Sequence, residues 1–198
     1  MLLLALISCH NKKKVVSKVV FSNEYKIDSN TVKKHIYTLA SDDMEGRANG
    51  TQGIEKAAVY IEKEFRRIGL TTFKDLETYR QTFTFKNRNT EKEITASNII
   101  GVLEGKSNKN EFVIFSAHYD HLGILKKAEQ VDSIYNGAND DASGVTGVLA
   151  LAEYFKNKNF NERTLVFIAF AGEEMGLKGS SHFGKEIDAT KFVAGINL

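Results

Sequence analysis

Apolar positions follow a helical period in the first part of the chain and a strand period in its middle. Behind Asp28 and Ser29, both good N-cap types, Val32, Ile36 and Leu39 recur at helical spacing and predict a helix ending near Ala40. His35 lies on that helix and is expected at its surface. Residues 41–47 read as a polar loop. A second helix follows, in which Ile54, Ala58, Ile61, Phe65 and Ile68 form one core-facing stripe and Gly69 is the natural C-cap. Phe83 and Phe85 alternate with polar neighbours, and the runs 94–103 and 112–117 are strand-like. The run 145–155 reads as a helix opened by Ser143 and the small Gly144. Residues 165–170 form a continuous apolar strand and 192–198 another. Strands that alternate with helices after residue 110 predict an α/β fold around a central mixed, mostly parallel sheet that is largely buried.

A length of 198 residues, 42% hydrophobic and 26% charged, fits one globular domain with a sizeable core. With 27 Lys plus Arg against 25 Asp plus Glu, the formal charge of +2 is too balanced for a nucleic-acid groove or an acidic partner, and small or peptidic substrates fit better. The single cysteine, Cys9, excludes an internal disulfide framework. It follows an apolar run, residues 1–8, that ends in Leu6, Ile7 and the small Ser8 and resembles the lipobox of bacterial lipoproteins. The expected organisation is a signal peptide at 1–8, a tether at 9–27 and a folded domain at 28–198. Cys9 would then be lipidated, and the protein would lie outside the cytoplasm as a membrane-anchored lipoprotein or a secreted molecule. The apolar run is too short for a spanning helix, which needs about 20 residues.

Three strings in the second half carry candidate chemistry. His118 and Asp120 follow directly on the strand 112–117, and an i, i+2 pair in extended chain projects to one side of the sheet edge. One can ligate a metal while the other orients it, since a metal-bound imidazole usually donates its second N–H to a carboxylate. His121 competes for the ligand role, and spacing does not decide between the two histidines. Asp140 and Asp141 lie in a glycine-flanked turn before the helix opened by Ser143. They can cap that helix, or one of them can bridge two cations about 3.5–4 Å apart. Glu173 and Glu174 follow the strand 165–170, at the edge where α/β sheets place their ligand crevices. Adjacent side chains point in different directions, so one carboxylate can bind metal while the other handles protons.

With these strings in place, the chain from about Val32 onward resembles the secreted and lipoprotein aminopeptidases with two co-catalytic zinc ions, a family that includes bacterial leucyl aminopeptidase and aminopeptidase Y. The resemblance also takes in the stretch 39–47, with Met44, Glu45, Gly46 and Arg47, and the stretch 176–180. It implies a three-layer zinc-exopeptidase-like fold and an enzyme that hydrolyses N-terminal residues from peptides. By the same resemblance His118 ligates one zinc, Asp140 bridges both, Glu174 ligates the other, and Glu173 is the catalytic general base, for which burial near the strand end is expected. Asp120 is the catalytic site's orienting partner of His118, and Asp141 holds a structural place. In the family a further Asp ligand follows a segment like 195–198 and a last His ligand lies farther on. The resemblance therefore implies that this is the N-terminal portion of the catalytic domain, each zinc lacking one protein ligand, and a poor catalyst on its own. Two other readings are a glutaminyl-peptide cyclotransferase of the same fold, which works with one zinc, and a non-catalytic peptidase-like binding domain. The doublet of Asp140 and Asp141 favours the first reading, as do the intact His118, Glu173 and Glu174.

Overall fold

A computed structural model describes residues 25–87, 90–125 and 132–198. Cys9, the segment expected to be a signal peptide and most of the expected tether lie outside the described residues. Helix α1 spans Ser29–Leu39, with the Asp28 carboxylate accepting from the amides of Asn30 and Thr31, as its N-cap type predicts. A short 3-10 turn, Asp42–Arg47, leads to α2, Gln52–Ile68, whose stripe is buried and whose C-cap Gly69 takes the left-handed conformation at φ 80°. Two expectations differ from what is observed. His35 is buried, packed edge-on against the Tyr60 ring with its Nδ1 2.6 Å from the Tyr60 hydroxyl. The 41–47 segment, read as a polar loop, is a 3-10 turn at 42–47 in which Met44, Gly46 and Arg47 are buried.

The strands are β1 (Arg80–Lys86), β2 (Glu93–Leu103), β3 (Asn108–His118), β4 (Gly123–Ile124), β5 (Ile134–Tyr135), β6 (Arg163–Phe170) and β7 (Phe192–Asn197). Five of them form one sheet in the order β1-β2-β6-β3-β7, and β4 pairs with β5 in a small separate ribbon. The β1–β2 and β2–β6 pairs are antiparallel, whereas β3–β6 and β3–β7 are parallel. The sheet is thus mixed and parallel in its second half. There α3 (Ser143–Lys158) joins β3 to β6, and α4 (Lys178–Lys185) joins β6 to β7.

Alternation along the central strands produces the layers. Ile99, Phe115, Leu165, Phe167 and Ala169 face the core shared with α1, α2 and α3. Ile100, Val102, Val166 and Ile168 face the opposite way, onto Phe183 of α4 and Phe73. The apolar run in β6 lacks a polar face because both of its faces are covered.

Parallel strands point the same way, so β3 and β6 end together: His118, the last residue of β3, is in register with Phe170, the last of β6. This shared C-terminal edge positions the site.

Candidate metal centre

Each candidate side chain is carried by the last residue of a strand, by the residues just beyond one or by the turn before a helix. Asp140 and Asp141 interrupt the helical turn Ala138–Ala142 with non-helical dihedrals, and their carboxylates point apart. The Asp141 carboxylate turns inward: Oδ2 accepts from the His118 amide at 3.1 Å, and Oδ1 accepts from the Gly144 amide at 2.9 Å. Burial raises its pKa, opposed by those two amides and by the His118 ring. Asp140 turns outward, its side chain 59% exposed. The two uses open to the doublet, helix cap and free carboxylate, thus fall to different residues: Asp141 holds the first turn of α3, and Asp140 faces the cleft.

Around Asp140 the geometry divides in two. Its Oδ1 lies 3.0 Å from His118 Nε2, and its Oδ2 lies 3.9 Å from His121 Nδ1. His121 Nδ1 is in turn 2.8 Å from Glu174 Oε1. Ligand atoms of His121, Asp140 and Glu174 all lie within 4.8 Å of one another. His118 stands on the other side of Asp140, with Glu173 Oε2 4.0 Å from its Nε2. One carboxylate between two imidazoles, with a second carboxylate on one side, is a donor set that suits zinc, which takes imidazole nitrogen and carboxylate oxygen. The donors present therefore fit the metal. His121, which spacing left level with His118, joins the Glu174 side. Only the fold could show this, because the two residues are brought together by the parallel pairing of β3 with β6.

Asp120 is fully buried. The ring of His118 is 3.1 Å from the Asp120 carbonyl oxygen through Nδ1 and 3.8 Å from its carboxylate. That carboxylate accepts from the Glu173 amide at 3.1 Å, from the Glu174 amide at 3.2 Å and from Asn49 Nδ2 at 2.7 Å. Asp120 thus sits behind His118 and at the same time fixes the backbone of the glutamate pair. Burial works against protonation of His118, but the Asp120 carboxylate and carbonyl beside the ring, with Asp141 near, override it and push its pKa to about 9. Glu173 does not have the burial expected of it, since its side chain is 39% exposed at the mouth of the site.

His118, Asp140 and Glu173 line a cleft of about 660 Å³ together with the apolar Phe170, Leu177 and Leu198. Polar groups placed among apolar lining are the usual make-up of a small-molecule or peptide-end site.

Residues 98–198 match the model of Peptidase family M28. The alkaline phosphatase isozyme conversion protein of Escherichia coli (strain K12) is 29% identical over 170 residues, which is 82% of this chain and 47% of that protein. Aminopeptidase YwaD of Bacillus subtilis (strain 168) is 36% identical over 90 residues, 45% of this chain and 17% of that protein. The chain thus spans about half or less of the length of these relatives. Among solved structures, a zinc aminopeptidase from Bacillus subtilis superposes with a TM-score of 0.71 at 17% identity, covering 89% of this chain and 70% of the other. The glutaminyl cyclase of Fimbriiglobus ruber does so with a TM-score of 0.70 at 21% identity, covering 88% and 62%. At such identities the two structures share the fold.

Proposed function

Since the chain belongs to Peptidase family M28, we propose that it is zinc-dependent aminopeptidase machinery that removes N-terminal residues from peptides, with two zinc ions held through a shared Asp140. The observation that carries this reading is the placement of Asp140, whose two oxygens face two different imidazoles at 3.0 and 3.9 Å. His118 would hold one ion and Glu174 the other. Bound zinc would supply Lewis-acid polarisation of the scissile carbonyl and a lowered pKa for water.

The protein's own groups do the rest. Glu173 is open to the cleft and near His118, so it can take a proton from water and return it to the leaving amine. Asp120 holds the Glu173 and Glu174 amides, so that the proton carrier and the ligand keep a fixed separation. Kinship with aminopeptidase YwaD supports the peptidase reading over cyclisation of an N-terminal glutamine, a reaction known to share this fold through the glutaminyl cyclase. Location outside the cytoplasm and a lipid on Cys9 belong to the same proposal. Among the described residues no helix is long and apolar enough to cross a membrane.

The test is an assay of this chain, and of a version extended to the length of its relatives, with aminoacyl p-nitroanilides and with a glutaminyl peptide. Zinc-dependent release of nitroaniline, at least in the longer protein, is expected. Pyroglutamyl formation without aminoacyl hydrolysis would replace the reading with the cyclotransferase, and zinc binding with neither activity would replace it with a binding domain.

A further inference from the structure

Arg47 is fully buried, yet among the described residues its guanidinium bonds backbone carbonyls and no carboxylate. Its guanidinium donates to four backbone carbonyls: Nε to Tyr119 at 2.8 Å, Nη1 to Asn136 at 2.7 Å and also to Leu39, and Nη2 to Gly137 at 2.9 Å. Those carbonyls come from three separate segments. Leu39 ends α1, Tyr119 lies between His118 and Asp120, and Asn136 and Gly137 open the turn that carries Asp140. The backbone of Arg47 adds a fifth bond and a second tie to the segment of Tyr119, since its carbonyl accepts from the His121 amide at 3.1 Å. Gly137 has φ 58° and no room for a side chain, as a Cβ there would come within 2.6 Å of Arg47 Nη2 and of His121. The turn is therefore drawn tightly onto the guanidinium.

A buried charge without a contacting counter-ion is costly unless something nearby compensates it. Here the compensation is the carboxylate group of the site, because Asp120, Asp140 and Asp141 are the charges that act on Arg47. The relation is mutual: a fixed cation behind them eases the gathering of three carboxylates into one cleft. A planar fork of donors reaches several carbonyls at once in a way that the ammonium of a lysine cannot reproduce.

We propose that Arg47 is the positioning residue of the metal centre, which fixes the distance between the loop carrying His118 and His121 and the turn carrying Asp140, and so sets metal affinity without touching metal or substrate. This rests on the zinc-binding reading above. The test is zinc affinity by chelator competition on the unaltered chain, Arg47→Lys and Arg47→Met, each with a thermal melt. The unaltered chain is expected to bind zinc. Arg47→Lys keeps the charge and loses the fork; it should still melt cooperatively but bind zinc at least about tenfold more weakly, with Arg47→Met weaker again. A role confined to stability would lower the melting temperature and leave the affinity of the folded variants within twofold of the parent, which overturns the proposal. Failure of the unaltered chain to bind zinc overturns the zinc reading itself, and this proposal with it.

Should neither variant fold, hydrogen exchange on the unaltered, zinc-free chain decides. The His121 amide, bonded to Arg47, and the Ala142 amide, bonded to Gly137, should exchange only through global unfolding. Exchange of either through local opening shows that the loops are not held in place and overturns the proposal.

Discussion

Glu173 and Glu174 are neighbours in sequence, and their separate tasks arise because Asp120 takes both of their amides while the side chains diverge. Glu174 meets His121, and Glu173 opens to the cleft near His118. In a zinc-loaded protein that hydrolyses aminoacyl substrates, Glu173→Gln is expected to lower kcat by roughly 10²–10⁴ with zinc content unchanged. Glu174→Gln should instead lower zinc content, so elemental analysis beside kinetics separates the two roles. His118, Asp140 and the glutamate pair were legible in the sequence because each directly follows or precedes a strong element. His121 could be named as a candidate but not assigned a side, and the contacts of Arg47 could not be read at all, since Glu174 lies 53 residues from His121 and Gly137 lies 90 from Arg47, met only in the folded chain.

His35 belongs to the same scale. Burial lowers its pKa, Glu64 and Glu153 pull it up, and Arg67 and Lys34 push it down. Above about pH 6.5 the ring is neutral in both the folded and the unfolded chain. Below that, the unfolded chain takes up a proton that the folded one resists. Stability therefore falls as pH drops, by at most about 1.4 kcal/mol per pH unit from this residue, until the folded His35 also protonates. Denaturant melts between pH 7 and 5 should show a smaller loss in His35→Gln than in the parent. An equal loss would mean that the ring is not held neutral.

At the scale of elements, the start of α3 ties secondary structure to chemistry. Asp141 binds the Gly144 amide and the His118 amide together, so one carboxylate fixes the helix and the strand end at once. A Cβ on Gly144 would lie 2.3 Å from Asp141 Oδ1. Gly144→Ala should therefore leave the helix intact by circular dichroism while displacing Asp141 and weakening zinc binding. Unchanged affinity would show that the Asp141 contacts do not hold His118. The long periodic elements, α1, α2, α3 and the central strands, could be read from their apolar spacing. Helix α4 could not, because its eight residues include two glycines and little apolar period. Gly179 earns its place by lying where any Cβ would strike Asn98 and Ala171, which lets α4 settle on the sheet. The β4–β5 ribbon has two residues per strand, too few for any period to register.

For the molecule as a whole, the topology makes the site. Because β3 and β6 run parallel and side by side, their ends bring residues from 118–121 and 173–174 to one edge, and α3 returns from that edge with Asp140 at its head. The alternation after residue 110 made the parallel half of the sheet legible. The antiparallel pairing of β2 with β6, which joins the two halves, depends on long-range register and has no local signature.

The central claim is that Asp140 serves two metal positions at once, and zinc stoichiometry of the version extended to the length of its relatives, with and without Asp140→Ala, tests it most directly. The account predicts two zinc ions in that longer protein, both lost in the variant. A single ion in the parent, or a variant that keeps one of two, would contradict a shared carboxylate.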